Sequence, residues 1–338
     1  MTKKKLNNNI KNRVTSFLER RPHRSFRRTR RRDYKRSLEL PGYIAFTKYV
    51  LKTIWANRKT FAILALVSAV VTAIMVGIAS QDTYTLLKNT LNQTSGSIFG
   101  SGIGEVGKAG LLLLTTATGG ISSNLSEVQQ VYAGIITLLT WLTSIWLLRN
   151  ILAGYKVKFR DGLYSAGAPI VSTFILAIVV VIQLLPIALA LIGYAAASQT
   201  GLLNNGIEAM LFWSVAGILA LLSIYWITST FFALIIVTLP GMYPFKALKT
   251  AGDLVVGRRL RIFYRILWII FVAIIVWTII MIPIILLDGW IKSLWPAILW
   301  MPIVPLSLLA LGSITIIYSS SYIYLLYRKV VADEAQPA

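Results

Sequence analysis

Six apolar stretches, each free of Asp, Glu, Lys, Arg and His, constrain this chain more than any other feature. A helix needs roughly 20 apolar residues to cross a hydrocarbon core of about 30 Å. Lipid offers no hydrogen-bond partner to an exposed backbone, so each stretch is predicted to be a transmembrane helix. The predicted spans are Phe61–Ala79, Val131–Leu148, Ala168–Ala196, Ala209–Leu239, Ile266–Leu287 and Trp295–Tyr327.

The composition excludes several classes of protein and site. Charged residues make up 14% of the chain, well below the roughly 25% of a soluble domain. A soluble globular enzyme, a collagen-like chain and a disordered protein are therefore excluded. The chain has no cysteine and one histidine, His23, which excludes a disulfide framework, a cysteine nucleophile and a multi-histidine metal site. We expect no cofactor and no metal.

The basic residues predict the orientation in the membrane. Of the 34 lysines and arginines, only Lys88, Lys108 and Lys292 fall on one side of the predicted spans. Positive residues stay on the cytoplasmic side, so both termini are predicted to be cytoplasmic. We therefore expect an all-α integral membrane protein of the bacterial plasma (inner) membrane. Its six transmembrane helices would form three helical hairpins.

A basic, amphipathic segment that opens near an aromatic residue precedes the first, third and fifth spans. In the first of these segments, 41–60, apolar residues recur at three- and four-residue spacing with cations largely between them, as in helices that lie on a membrane surface. We expect one amphipathic lead-in helix on the inner surface for each hairpin. The alternative is that any six-span chain obeying the charge rule looks periodic. The segments are 41–60, 156–167 and 245–265, and they open near Phe46, Phe159 and Phe245.

Three regions are predicted along the chain. Residues 1–40 form a basic, polar arm that cannot bury a core, and residues 41–330 form the six-span domain with an outer loop at 80–130. Residues 331–338 form a cytoplasmic tail. The arginine-rich part of the arm, 20–36, suits three partners by the same electrostatics: anionic lipid, nucleic acid or ribosome, and an acidic protein. Lipid contact is the favoured interpretation, and His23 within the arm is expected to be inert.

The chain carries no recognisable catalytic arrangement. The acidic residues are scattered, and the predicted spans hold no base that could activate a serine or threonine. Residues 102–109 nearly match a phosphate-binding loop, but Ala109 stands where the pattern requires a hydroxyl for Mg²⁺. A flexible glycine-rich loop is the better interpretation. We therefore predict that the protein is not an enzyme.

Polar and proline residues within the spans are expected to affect how the helices pack against one another and how they bend. Gln183 and the run 319–321 are predicted to form hydrogen bonds between helices, and four prolines are predicted to kink the spans. The absence of intramembrane charge argues against a proton-coupled carrier. It leaves open a transporter or channel for a small or amphipathic solute. The four prolines are Pro186, Pro283, Pro302 and Pro305.

One segment resembles a known family. Residues 244–262, PFKALKTAGDLVVGRRLRI, lead directly into an apolar span. They resemble a cytoplasmic element of a bacterial group that includes the membrane domain attached to glycerophosphodiester phosphodiesterases. Ala251 departs from that group's usual serine. The chain has no room for a catalytic barrel of about 250 residues, so the resemblance implies a six-span fold and no catalytic activity.

The segment 244–262 also predicts a surface helix. Phe245, Leu248, Gly252, Val255 and Val256 would form its apolar face. Lys246, Lys249 and Asp253 would form its polar face, with the following arginines at headgroup depth.

Three roles remain open for the whole chain. The first is a scaffold or lipid-interacting protein whose partners are anionic membrane lipids, with a protein partner or a second copy of the chain as further candidates. The second is a transporter or channel, and the third is an adaptor that binds RNA or the ribosome through the arm. The candidate contacts to lipid or phosphate are Arg27, Arg28, Arg30, Arg31, Arg32, Lys48, Lys52, Arg58, Lys59, Lys246, Lys249, Arg258, Arg259 and Arg261.

Overall fold

The computed structural model describes residues 40–76, 127–199, 206–295 and 301–334. In these ranges all regular structure is helical, which confirms the predicted all-α class. The predicted basic arm and most of the predicted outer loop lie outside the described residues. The helices of the described ranges are α1 Tyr43–Ala56, α2 Arg58–Met75, α3 Glu127–Leu152, α4 Phe159–Ala166, α5 Ile170–Gln199, α6 Gly206–Ile236, α7 Pro244–Val255, α8 Arg259–Leu294 and α9 Ile303–Glu334.

Six of these helices, α2, α3, α5, α6, α8 and α9, are long and apolar enough to cross a membrane. They coincide with the six predicted spans, and consecutive pairs pack as the three predicted hairpins. The sixth span begins later than predicted, because Trp295 caps the end of α8 and α9 begins only at Ile303. The same helix continues to Glu334 and therefore includes the first residues of the predicted tail, 331–338.

The prolines occupy two kinds of position. Pro186 and Pro283 lie inside α5 and α8, where the predicted kinks stay predictions. Pro302 directly precedes α9 and Pro305 lies in its first turn. A first-turn proline costs no helical hydrogen bond. The prediction of a kink at Pro302 and Pro305 was therefore wrong, because they mark the start of a helix.

Helix α8 is longer than a bilayer is thick, and its buried charges mark the borders of its apolar part. Arg265 and Asp288 are 5% and 1% exposed, respectively. Their positions differ by 23, which corresponds to about 35 Å of helix, close to the thickness of a hydrocarbon core. Both charges therefore fit the ends of the apolar stretch rather than its middle.

The three lead-in helices α1, α4 and α7 link the hairpins into a closed arrangement. Helix α4 packs on α3, which is the second helix of the preceding hairpin, and α7 packs on α6 in the same way. Helix α1 packs on α9, the last helix of the chain. Each lead-in helix therefore bridges to the return helix of another hairpin, and α1 closes the sequence. This regularity supports the predicted threefold unit, whose amphipathic lead-in helices are all present.

The face that α7 buries differs from the predicted one. Ala247, Ala251 and Val255 are buried, spaced four residues apart, whereas Phe245 is 78% exposed. Small side chains let α7 approach α6 closely, which a face containing Phe245 would prevent. The face that packs against the protein therefore shares only Val255 with the predicted apolar face, whose Phe245 and Val256 stay exposed. The aromatic residues Phe46, Phe159 and Phe245 likewise differ in burial, so they are not equivalent positions of the three units.

Hydroxyl groups join α2, α3 and α9 in the interior. Ser68 Oγ lies 2.9 Å from Thr140 Oγ1 and 3.4 Å from Ser313 Oγ, and Ser320 donates to Ser144 over 2.8 Å. Thr230 of α6 donates to Gln183 of α5 over 2.7 Å. Trp277 of α8 donates to Thr315 of α9 over 2.9 Å. These contacts confirm the predicted bonds between helices for Gln183 and for Ser320, whereas Ser321 of the same run donates to Ile317 within its own helix.

Candidate anion-binding sites at the basic end of the bundle

Most of the predicted contact residues within the described ranges lie on the surface at one end of the bundle. The hairpin topology brings the start of α2, α5 and α8 to the same end as α1, α4 and α7. Two lysines project from α1, two cations open α2, and two lysines project from α7. The exposed residues are Lys48, Lys52, Arg58, Lys59, Lys246 and Lys249. Arg27, Arg28, Arg30, Arg31 and Arg32 lie outside the described residues.

Aromatic side chains accompany these cations on the surface. Trp55 is 69% exposed, and the guanidinium carbon of Arg58 lies 5.6 Å from the centroid of its ring. At the start of α7, Tyr243 and Phe245 are 73% and 78% exposed beside Lys246. Aromatic rings and cations together are typical of the headgroup region of a bilayer. Both α1 and α7 therefore present a surface suited to a lipid interface.

The three arginines that follow α7 take different positions. Arg258 is 4% exposed and donates to the carbonyl oxygen of Val330 over 3.5 Å. The left-handed turn at Gly257, with φ 78°, directs the chain so that Arg258 enters the protein. Arg259 stacks 3.7 Å from the ring of Tyr225 and donates to its carbonyl oxygen over 2.9 Å. Arg261 is exposed. Of the three arginines, it alone has the exposed side chain expected for a contact with lipid headgroups.

Sequence reasoning missed two arginines that the fold places in defined surroundings. Arg265 is buried between α1, α8 and α9, and Arg149 is half-buried in the last turn of α3. Arg149 lies 22 residues after Glu127, the first residue of α3, which corresponds to about 33 Å of helix. It therefore sits at headgroup depth if Glu127 lies at the opposite surface. The position of Arg149 directly after an apolar span was the sequence feature that could have identified it as a candidate contact residue.

Arg149 lines a cleft of about 340 Å³. One wall is apolar and includes Leu142 and Trp146 of α3 together with Leu239 of the α6–α7 connection. Two serines, Ser165 at the end of α4 and Ser172 in the first turn of α5, add hydroxyl groups to the lining. The cleft therefore combines the cation of Arg149, the hydroxyls of Ser165 and Ser172, and an apolar wall, while the hydroxyl of Thr238 donates to Ile235.

Acidic groups do not assemble into a metal site in the parts of the chain that the structure describes, where no group of three His, Cys, Asp or Glu side chains lies together. The buried carboxylate of Asp288 instead accepts a hydrogen bond of 2.9 Å from Lys292, one turn further along α8. This pair lies at the end of the bundle opposite to α1, α4 and α7. It is a packing contact of α8 rather than part of the basic surface.

Comparison with known proteins gave no match to a protein-family model, a curated protein or a solved structure. The resemblance of residues 244–262 to a bacterial membrane family therefore stays a prediction.

Proposed function

We propose that this chain is a non-enzymatic integral membrane protein whose basic end binds anionic phospholipid. It would act as a scaffold in the plasma membrane of a bacterium, with α1, α4 and α7 at the cytoplasmic leaflet. The observation that carries this proposal is the pairing of exposed lysines with exposed aromatic rings on α1 and α7. Aromatic rings favour the interface, and each cation near an anionic surface contributes about 1 kcal/mol.

The interior contacts favour a scaffold over a transporter. The hydroxyl of Ser68 lies 2.9 Å from that of Thr140 and 3.4 Å from that of Ser313, which joins three helices. Such groups stabilise helix packing in a membrane. A solute pathway would instead need polar groups turned toward a water-filled passage. In α5 only 6% of the span is buried within the protein, the smallest share among the six spans, which leaves its apolar side chains free to contact lipid.

The lipid preference can be measured by fluorescence quenching after reconstitution. Brominated phosphatidylglycerol and brominated phosphatidylcholine quench those of the ten tryptophans that they contact. We expect the anionic lipid to bind more tightly at low salt and the preference to shrink at high salt, because exposed charges are screened. Equal quenching by the two lipids at low salt would overturn the proposal.

A matched pair of variants tests the contribution of α7. Lys246→Gln/Lys249→Gln removes two exposed lysines beside exposed aromatic rings, whereas Arg328→Gln/Lys329→Gln removes two exposed cations near the end of α9. Two cations at about 1 kcal/mol each set an upper limit of about thirtyfold on the loss of preference. We expect the first variant to lose more than the second. Equal losses would show that net charge alone, rather than the α7 surface, determines the preference.

A further inference from the structure

We propose that the cleft lined by Arg149 is a discrete site for one phosphate group, carried by an anionic phospholipid headgroup or free in solution. The inference deepens the proposed lipid-binding function and rests on it for the lipid as source. It differs from the surface of α1 and α7 because a cleft takes one ligand in one orientation, whereas an exposed surface attracts many lipids weakly.

The guanidinium of Arg149 is held in place without being neutralised. Its Nη1 donates to the carbonyl oxygen of Thr238 over 3.1 Å, which ties the end of α3 to the connection after α6. Within the described ranges this is its one side-chain hydrogen bond, and no carboxylate lies within ion-pair distance. An arginine carries five N–H donors in a planar fork that matches phosphate oxygens. One donor fixes the side chain, and the others suit an anion.

Two serines of the lining complete the polar side of the cleft. Ser165 and Ser172 both contribute to its surface, and neither hydroxyl has a hydrogen bond to a residue in the described parts of the chain. A hydroxyl can donate to a phosphate oxygen and rotates to suit it. The cleft therefore offers donors from α3, α4 and α5. These elements converge only in the folded protein.

Size and depth fit a phospholipid headgroup. The volume of about 340 Å³ falls at the small end of the range for small-molecule sites. The apolar wall of Leu142, Trp146 and Leu239 suits the glycerol and upper acyl region, and Arg149 lies about 33 Å along α3 from Glu127. A lipid could therefore place its phosphate at the guanidinium while its chains remain in the bilayer.

Native mass spectrometry of the full chain in a mild detergent tests the site. The protein is titrated with phosphatidylglycerol and, separately, with phosphatidylcholine, and bound lipids are counted. We expect one phosphatidylglycerol to bind about tenfold more tightly than phosphatidylcholine, because the choline cation of the latter offsets its phosphate charge beside the guanidinium. We expect Arg149→Gln to weaken that first binding event by about tenfold. Arg328→Gln removes the same charge from an exposed position and should leave the affinity unchanged within about twofold.

A second variant keeps the proposal falsifiable if Arg149→Gln fails to fold. Ala168 lines the cleft and is exposed, so Ala168→Phe fills the opening without altering charge. We expect it to abolish binding of the first lipid while the circular dichroism spectrum stays that of the parent. Binding of the first phosphatidylglycerol at parental affinity by a folded Ala168→Phe or Arg149→Gln protein would overturn the proposal.

Inorganic phosphate distinguishes the two sources of the group. If millimolar phosphate displaces the bound lipid, the site accepts free phosphate as well. If phosphate leaves the lipid bound, the headgroup of a phospholipid is the ligand. The surface proposal fails separately: loss of lipid preference in the quenching experiment, with the first binding event intact, would remove the scaffold role and leave the cleft. If the quenching experiment still shows a preference for anionic lipid but no saturable first binding event exists, the cleft proposal fails and the scaffold role stands.

Discussion

The guanidinium carbon of Arg265 lies 4.3 Å from the centroid of the Tyr43 ring. The same guanidinium lies 5.6 Å from Phe46 and donates from Nη2 to the carbonyl oxygen of Pro41. Phe46 in turn meets Tyr322 of α9 edge-on, with centroids 4.8 Å apart. A single buried arginine of the third hairpin therefore binds the helix that opens the first hairpin, and this contact closes the arrangement of lead-in helices.

Loss of this contact should release α1. Removal of a desolvated cation–π contact costs about 2 kcal/mol, and a hydrogen bond from a charged donor contributes about 1.5–3 kcal/mol. We expect Arg265→Met to destabilise the protein by about 3 kcal/mol, since these contributions are not fully additive. The measurement is thermal unfolding in detergent together with limited proteolysis at residues 40–56. Arg328→Met is the control, and equal protease resistance of the two variants would contradict the prediction.

Two glycines of lead-in helices should respond in opposite directions to alanine. A Cβ at Gly162 would lie 3.1 Å from Leu147 Cδ2 and 3.3 Å from Thr143 Cγ2, whereas a Cβ at Gly252 meets nothing within 4 Å. Alanine favours a helix over glycine by up to about 1 kcal/mol, and overpacking costs about 1–3 kcal/mol. We expect Gly252→Ala to raise the unfolding temperature above that of the parent protein and Gly162→Ala to lower it below that of the parent protein. Equal shifts would show that α4 does not press on α3.

The ion pair between Lys292 and Asp288 should show strong coupling. Lys292→Met would leave the carboxylate of Asp288 at 1% exposure without its cation. Breaking a buried pair from one side costs about 3–5 kcal/mol, whereas removing both charges is often close to neutral. We expect Asp288→Asn/Lys292→Met to recover most of the stability that Lys292→Met loses. A double-mutant cycle of unfolding free energies measures this, and additive losses would contradict it.

Labelling of single cysteines tests the orientation in the membrane. The natural chain has no cysteine, so each introduced thiol is unique. Lys249 on α7 and Ser293 at the far end of α8 are both exposed. We expect a membrane-impermeant maleimide to label Ser293→Cys in intact cells and Lys249→Cys only after permeabilisation. The reverse pattern would place α7 outside the cell and remove the basis for binding lipids of the inner leaflet.

Part of the candidate surface could be predicted from periodicity and part could not. Lys48 and Lys246 lie between apolar residues of an amphipathic segment, so their exposure follows from helical spacing. Arg258 is just as basic, yet the turn at Gly257 carries it into the protein. The amino-acid pattern also did not indicate which face of α7 is buried against the protein. Hydrophobicity favoured Phe245, whereas close helix packing selected the small residues Ala247 and Ala251.

The number of spans, their approximate limits and their pairing into hairpins could be predicted from the amino-acid pattern. This is possible because lipid leaves backbone groups no partner except within a helix, and because the hydrocarbon thickness sets the length. The helices that each lead-in helix joins and the position of the cleft became visible only in the folded protein. The contacts responsible, Arg265 to Pro41 and Arg149 to Thr238, join residues 224 and 89 positions apart. No local pattern encodes such pairs, because they depend on how the hairpins pack against one another.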